Sequence, residues 1–174
     1  MEANTFNPEE LAGKYLTFAL SQEQYGIDIL KAQEIIAVPK ITATPLSPPY
    51  VKGVINLRGK IIPVIDLRLK FGLEPREYDE KTCIIVVNFE WQGTEKKVGI
   101  IVDTVLEVVD FSPEVIEKAP QYSTSLNSLV IQGIAKVGEK RPVILIDILR
   151  TVLDDQEMLA EMNTEKEEQA VNQG

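Results

Sequence analysis

The sequence predicts an all-β protein built from two small, similar barrels, finished by a C-terminal helix. Three observations predict it. Short apolar runs rich in β-branched residues alternate with Gly, Pro and charged turn signals, as in small barrels. A hairpin-like block, Gly53 to Asp66 with its turn at Arg58-Gly59, recurs as Gly133 to Asp147: Gly53 maps onto Gly133, 80 residues on, and Asp66 onto Asp147, 81 residues on. An earlier block also recurs, with Gly26 mapping onto Gly99 and Glu34 onto Glu107, both 73 residues on. Two blocks repeated in the same order mark an internal duplication. The growth in offset needs only a longer loop in the second half, around Gln121 to Ser128.

Each element follows from its residues. Met1 to Ala12 is polar and acidic without alternation, and reads as a loose lead-in. Tyr15 to Leu20 and Tyr25 to Ile29 read as strands around a turn at Ser21 to Gln24. Leu30 to Val38 fits either a short helical turn or a continued strand. Pro39, Pro45, Pro48 and Pro49 break any long element before Tyr50. The Gly53–Asp66 hairpin comes next. Asp66 is placed to cap a short helix through Phe71, with Gly72 as its stop. Glu74 to Lys81 is charged and reads as a solvated loop between lobes.

The second half repeats the theme. Thr82 to Phe89 reads as a strand, Trp91 to Lys96 as an exposed hairpin end and Lys97 to Val102 as the return. After Asp147, Ile148, Leu149, Val152 and Leu153 share one helical face, which Met158, Leu159 and Met162 extend. The expected organisation is a first barrel over 15–80, a second over 81–147 and a helix over 148–162, with flexible tails at 1–13 and 163–174. A lobe of ~65–75 residues is near the lower limit for burying its own core. Packing the two together, or exchanging a strand, would make both more stable.

Composition narrows the function. A net charge of −9 with no offsetting basic tract argues against nucleic acid or an anionic membrane as a direct partner. No apolar run approaches the ~20 residues of a membrane span, and the N-terminus lacks the basic and apolar regions of a secretory signal. The single cysteine, Cys83, cannot form a disulfide framework, which fits a reducing cytoplasm; it reads as a small core residue.

Little reactive chemistry is visible. The chain has no histidine, which removes Ser-His triads, Cys-His dyads and most zinc sites. It has no Walker or Rossmann glycine pattern, so no nucleotide cofactor is expected. Glu74, Glu77, Asp79 and Glu80 lack the ligand spacing of a calcium loop, and no metal is expected there. Asp66 and Asp147, related by the repeat, could in principle form a two-lobed acid hydrolase. Aspartic proteases follow each Asp with Thr/Ser-Gly, whereas here Leu67-Arg68 and Ile148-Leu149 follow, and helix capping explains both residues more simply. Arg58, at a turn between apolar strands, is either a protein-contact anchor or a generic turn cation. Glu34 has the same status, a lone acid in an apolar neighbourhood.

Tyr25 to Ile35, Lys52 to Gly59 with its Asn-Leu-Arg-Gly core, Ile62 to Arg68 and Val98 to Asp103 together resemble the bacterial chemotaxis coupling family, CheW. The resemblance runs from about Tyr15 to Leu153, and a CheW-like domain over 14–153 is expected. It implies two SH3-like five-stranded β-barrels, no catalysis and no cofactor. It implies a cytoplasmic adaptor that couples the histidine kinase CheA to methyl-accepting chemoreceptors and is recruited to receptor arrays through them. Glu34, Gly53, Arg58 and Val108 fall at positions the family links to receptor coupling. Tyr122, with Glu117 beside it, falls at a kinase-contact position. The family can carry a basic residue where Glu117 stands, and often a valine where Ala32 stands. The same module ends CheA and begins CheV-type proteins, and a stand-alone coupler is the expected form here. A regulatory ligand-binding barrel of the same family is the alternative.

Overall fold

The structure is a computed structural model that describes residues 6–120 and 130–153. Its elements are α1 (Pro8–Leu11), β1 (Gly13–Leu20), β2 (Glu23–Asp28), β3 (Ala32–Ala37), β4 (Val51–Leu57), β5 (Lys60–Asp66) and α2 (Leu67–Lys70), then β6 (Cys83–Trp91), β7 (Thr94–Val102), β8 (Thr104–Phe111), β9 (Ile116–Glu117), β10 (Ile131–Ala135), β11 (Val143–Ile146) and α3 (Ile148–Val152). The segment that fitted either a helical turn or a strand is both in succession. A 3-10 turn, Ile29–Lys31, is capped by the Asp28 carboxylate and runs straight into β3.

The strands form two sheets. One has the order β8-β1-β2-β11-β10-β9, the other β3-β6-β7-β5-β4. The expected class holds: two β lobes and a C-terminal helix, with the two-residue β9 as a sixth strand in one of them. The repeat is visible in three dimensions. Gly53 and Gly133 sit at the same register shift of their hairpins, opposite Val64 and Leu145. Gly99 and Gly26 sit in the matching parallel pairings, again opposite Val64 and Leu145. Asp66 and Asp147 each cap the short helix that follows their hairpin.

The boundary expected at residue 80 does not separate the two sheets. Residues 32–102 supply the whole five-stranded sheet, while the six-stranded sheet takes β1 and β2 from the first repeat and β8 to β11 from the second. Each repeat therefore gives its first hairpin to the lobe completed by the other. The cause is the parallel pairings of β5 with β7 and of β2 with β11, each of which joins a strand of one repeat to a strand of the other. The lead-in also has more order than expected. Asn7 accepts the Glu9 N–H, Pro8 opens α1, and Phe6, Leu11 and Ala12 pack on Tyr15, Phe111 and Ile116. Residues 154–162 of the expected C-terminal helix, and the tail after them, lie outside the described residues.

One core joins the lobes. Leu16, Phe18, Leu20 and Ile27 of the six-stranded sheet pack in the same buried cluster as Ile65, Ile85, Val87 and Ile100 of the five-stranded sheet. Each such side chain contributes roughly 1.5–3 kcal/mol by leaving water, so the lobes are held as one body. A second cluster, Ile55, Ile62, Val64, Ile84, Val86 and Ile101, fills the five-stranded lobe.

Candidate functional site

Glu34 and Arg58, read separately in the sequence, form an ion pair. The geometry comes from local backbone. Glu34 stands just past a register shift in the β3–β6 pairing. Arg58 and Gly59 both have positive φ, 50° and 86°, which makes a two-residue hairpin turn whose twist matches its strands. Asn56 fixes that turn by accepting the Gly59 N–H at 2.9 Å. β3 and β4 are opposite edges of the five-stranded sheet, so the pair joins both edges of the curled lobe. Arg58 is 69% exposed and Glu34 23%. A pair this open contributes at most about 1 kcal/mol; Ile35, next to Glu34 in β3, and Ile61, on the Arg58 hairpin, are also exposed.

Gly53 lies on the same hairpin and is buried. Its φ is 140°, and a Cβ there would sit 2.0 Å from the Thr42 carbonyl oxygen. That close approach lets Thr42 and Val54 exchange two backbone hydrogen bonds at 2.9 Å, which seats the 39–50 loop on β4. Val108 is exposed on β8, the edge strand of the other sheet. Glu117 is exposed on β9, opposite Ile134. Tyr122 lies outside the described residues.

A second charged cluster sits where the chain passes from β7 to β8. Asp103 is buried and accepts from Arg68 at 2.7 Å, from the Ser21 N–H at 2.7 Å and from Arg76 at 3.3 Å. Arg68 also donates to the Ser21 hydroxyl at 2.8 Å and the Glu74 carbonyl at 3.0 Å. Nearby, the Tyr78 hydroxyl donates to Asp66 at 2.8 Å. Burial, followed by that bond to Asp66, pushes the Tyr78 phenol well above its ordinary range. The 74–81 loop is therefore not merely solvated: Arg76 and Tyr78 tie it to the lobe junction. The available signal was a charged residue directly ending a buried run, Ile100-Ile101-Val102-Asp103.

Comparison with known proteins places this architecture. The family described as CheW-like domain matches residues 14–156. The chain belongs to the CheW family. It is 41% identical over 158 residues to the chemotaxis protein CheW of Klebsiella aerogenes, covering 91% of this chain and 92% of that protein. It is 34% identical to the chemotaxis protein CheW of Bacillus subtilis, covering 81% and 86%. Among solved structures, the scaffolding protein TtCheW of Thermoanaerobacter tengcongensis superposes with a TM-score of 0.68 at 39% identity, covering 78% of this chain and 89% of that one.

For this CheW-family chain, the two aspartates considered for acid catalysis have structural work. Asp66 is buried and accepts from the Arg68 N–H at 3.0 Å, the Leu69 N–H at 3.4 Å and Tyr78. Asp147 accepts from the Arg150 N–H at 3.3 Å. They cap helices at the ends of β5 and β11, in different sheets. Cys83 is half-buried at the start of β6 rather than deep in the core, and its thiol donates to the Lys81 carbonyl. Among the described residues, no cluster of His, Cys, Asp or Glu could hold a metal ion, and no helix is long and apolar enough to cross a membrane.

Proposed function

We propose that this CheW-family protein is a non-enzymatic cytoplasmic adaptor. It couples the histidine kinase CheA to methyl-accepting chemoreceptors so that receptors control the kinase, and reaches receptor arrays through these partners. Family membership supports the scaffold role. The observation that carries the receptor side is the exposed Glu34–Arg58 pair. Two residues that the resemblance links to receptor coupling meet in one ion pair whose arginine is open to solvent, a group suited to protein contact. Gly53 acts beside them by seating a loop, and Val108 contributes from the other lobe. Glu117 and Tyr122 form the kinase side. Keeping the two partner surfaces on a body with one shared core allows both to be engaged at once.

Affinity measurements with purified kinase and receptor fragments, alone and together, test this. Wild-type protein should bind each and bridge both, and Arg58→Glu should lose the receptor while keeping the kinase. Equal receptor binding by Arg58→Glu would remove the site assignment.

A further inference from the structure

Leu46 is the most exposed large apolar side chain among the described residues, and its backbone is held at a φ of 60°. A leucine in the left-handed region is strained, and strain of this kind persists only where the surroundings impose it and clusters at functional sites. The surroundings here are stiff. Pro45, Pro48 and Pro49 flank it, the Thr44 and Ser47 hydroxyls bond at 2.8 Å, and the Val51 N–H donates to the Pro48 carbonyl at 2.9 Å. The loop is fastened to β4 through the Thr42–Val54 bridge, which Gly53 alone makes room for.

Charge singles out the same region. Residues 35–65 carry Lys40, Lys52, Arg58 and Lys60 and no Asp or Glu, in a chain of net charge −9. On the hairpin beside the loop, Ile61 and Pro63 are exposed, in register with Asn56 and Val54. This stretch is thus apolar and basic, with Arg58 paired to Glu34 and Lys40, Lys52 and Lys60 adding positive charge, in a chain that is otherwise strongly acidic. Such a face complements apolar groups rimmed by carboxylates.

We infer that Leu46 is a receptor-contacting anchor on this face, that Gly53 is the positioning residue that holds its loop in place, and that the receptor surface it meets is apolar with an acidic rim. This rests on the receptor reading above. It makes Gly53 matter to the receptor without touching it. The rigid loop holds the leucine extended before contact, so little freedom is lost on docking.

The test uses full-length protein, a purified receptor signalling domain and a purified kinase regulatory fragment. Asn tolerates the left-handed region, so Leu46→Asn removes the anchor without adding strain. Receptor affinity should fall at least about tenfold, the loss expected on removing one leucine-sized apolar contact, while kinase affinity stays within about twofold and the melting temperature holds or rises. Lys60→Glu should weaken the receptor in the same direction and flatten its salt dependence. Receptor binding that Leu46→Asn leaves intact overturns this inference alone. So does a loss confined to the kinase, a clear fall in melting temperature, or a wild-type self-association that Leu46→Asn abolishes. Failure of wild-type protein to bind the receptor overturns the receptor reading and this inference with it.

Discussion

Arg68 and Asp103 meet at 2.7 Å, with both side chains about nine-tenths buried, where the chain leaves the five-stranded sheet for the six-stranded one. Asp103 accepts there from a turn of one lobe and a helix of the other. Removing one partner of a buried pair strands the other without solvent. Asp103→Ala is therefore expected to lower stability by about 3–5 kcal/mol. Asp103→Asn, which can still accept the Ser21 N–H, should cost less. Urea unfolding checks both, and an unchanged midpoint for Asp103→Ala would show that the junction does not depend on this carboxylate.

The Glu34–Arg58 pair should behave in the opposite way. Because it is open to water, Arg58→Glu is expected to change stability by no more than about 1 kcal/mol, while the proposed receptor binding is expected to fall sharply. Parallel melting and binding measurements separate the two. A collapse in melting temperature would recast the pair as a structural clasp.

Two glycines of one hairpin should respond differently. Gly53→Ala puts a methyl group into the Thr42 carbonyl at a φ unfavourable for alanine, and should cost more than about 2 kcal/mol. Gly59→Asn meets open space at a φ that Asn tolerates, and should cost under about 1 kcal/mol. Similar losses for both would contradict the close approach described at Gly53.

Alkali should weaken the fold through its tyrosines. Burial, aided by the nearby Asp28 carboxylate, pushes the Tyr15 phenol up to about 12. The native state therefore favours the neutral phenol. This contribution is fully present below the unfolded value of about 10 and is lost as pH rises through 12. Tyr25 and Tyr78 shift the same way. Urea midpoints at pH 8, 10 and 11 should fall only beyond pH 10. Tyr15→Phe should start lower, having lost the bond to the Leu11 carbonyl, and fall less steeply.

The repeated caps are unequal. Asp66→Ala removes an acceptor for two backbone N–H groups and leaves the Tyr78 hydroxyl without its partner, for an expected cost of about 2–4 kcal/mol. Asp147→Ala removes a more exposed cap and should cost about 1 kcal/mol. Calorimetry on the two variants reads the difference directly.

Strands, turns and caps were legible because their causes are local. The Asn-Leu-Arg-Gly turn, the prolines before Tyr50 and the aspartates heading short helices act within a few residues. Sheet membership was not, because alternation along a strand says nothing about its neighbour. The pairings that decide it, β5 with β7 and β2 with β11, join residues far apart in sequence. The same separation hid the Glu34–Arg58 pair, 24 residues apart, and the partners of Arg76 and Tyr78. The charged 74–81 stretch looked solvated because nothing local showed that Arg76 and Tyr78 within it reach back to buried carboxylates. Leu46 stood out neither by periodicity nor by motif, since only its backbone angle and exposure set it apart.

The duplicated stretch of sequence and the folded lobe are out of phase by one hairpin. A chain carrying a single repeat would own every kind of strand a lobe requires, yet could not assemble them by itself, because its first hairpin points to a neighbour's sheet. Such a half-length ancestor would have been complete only as an interlocked pair of identical chains. Joining the two copies end to end would have turned that partnership into a single molecule, and left the two hairpin tips free to differ, Arg58-Gly59 in one and Val137-Gly138 in the other.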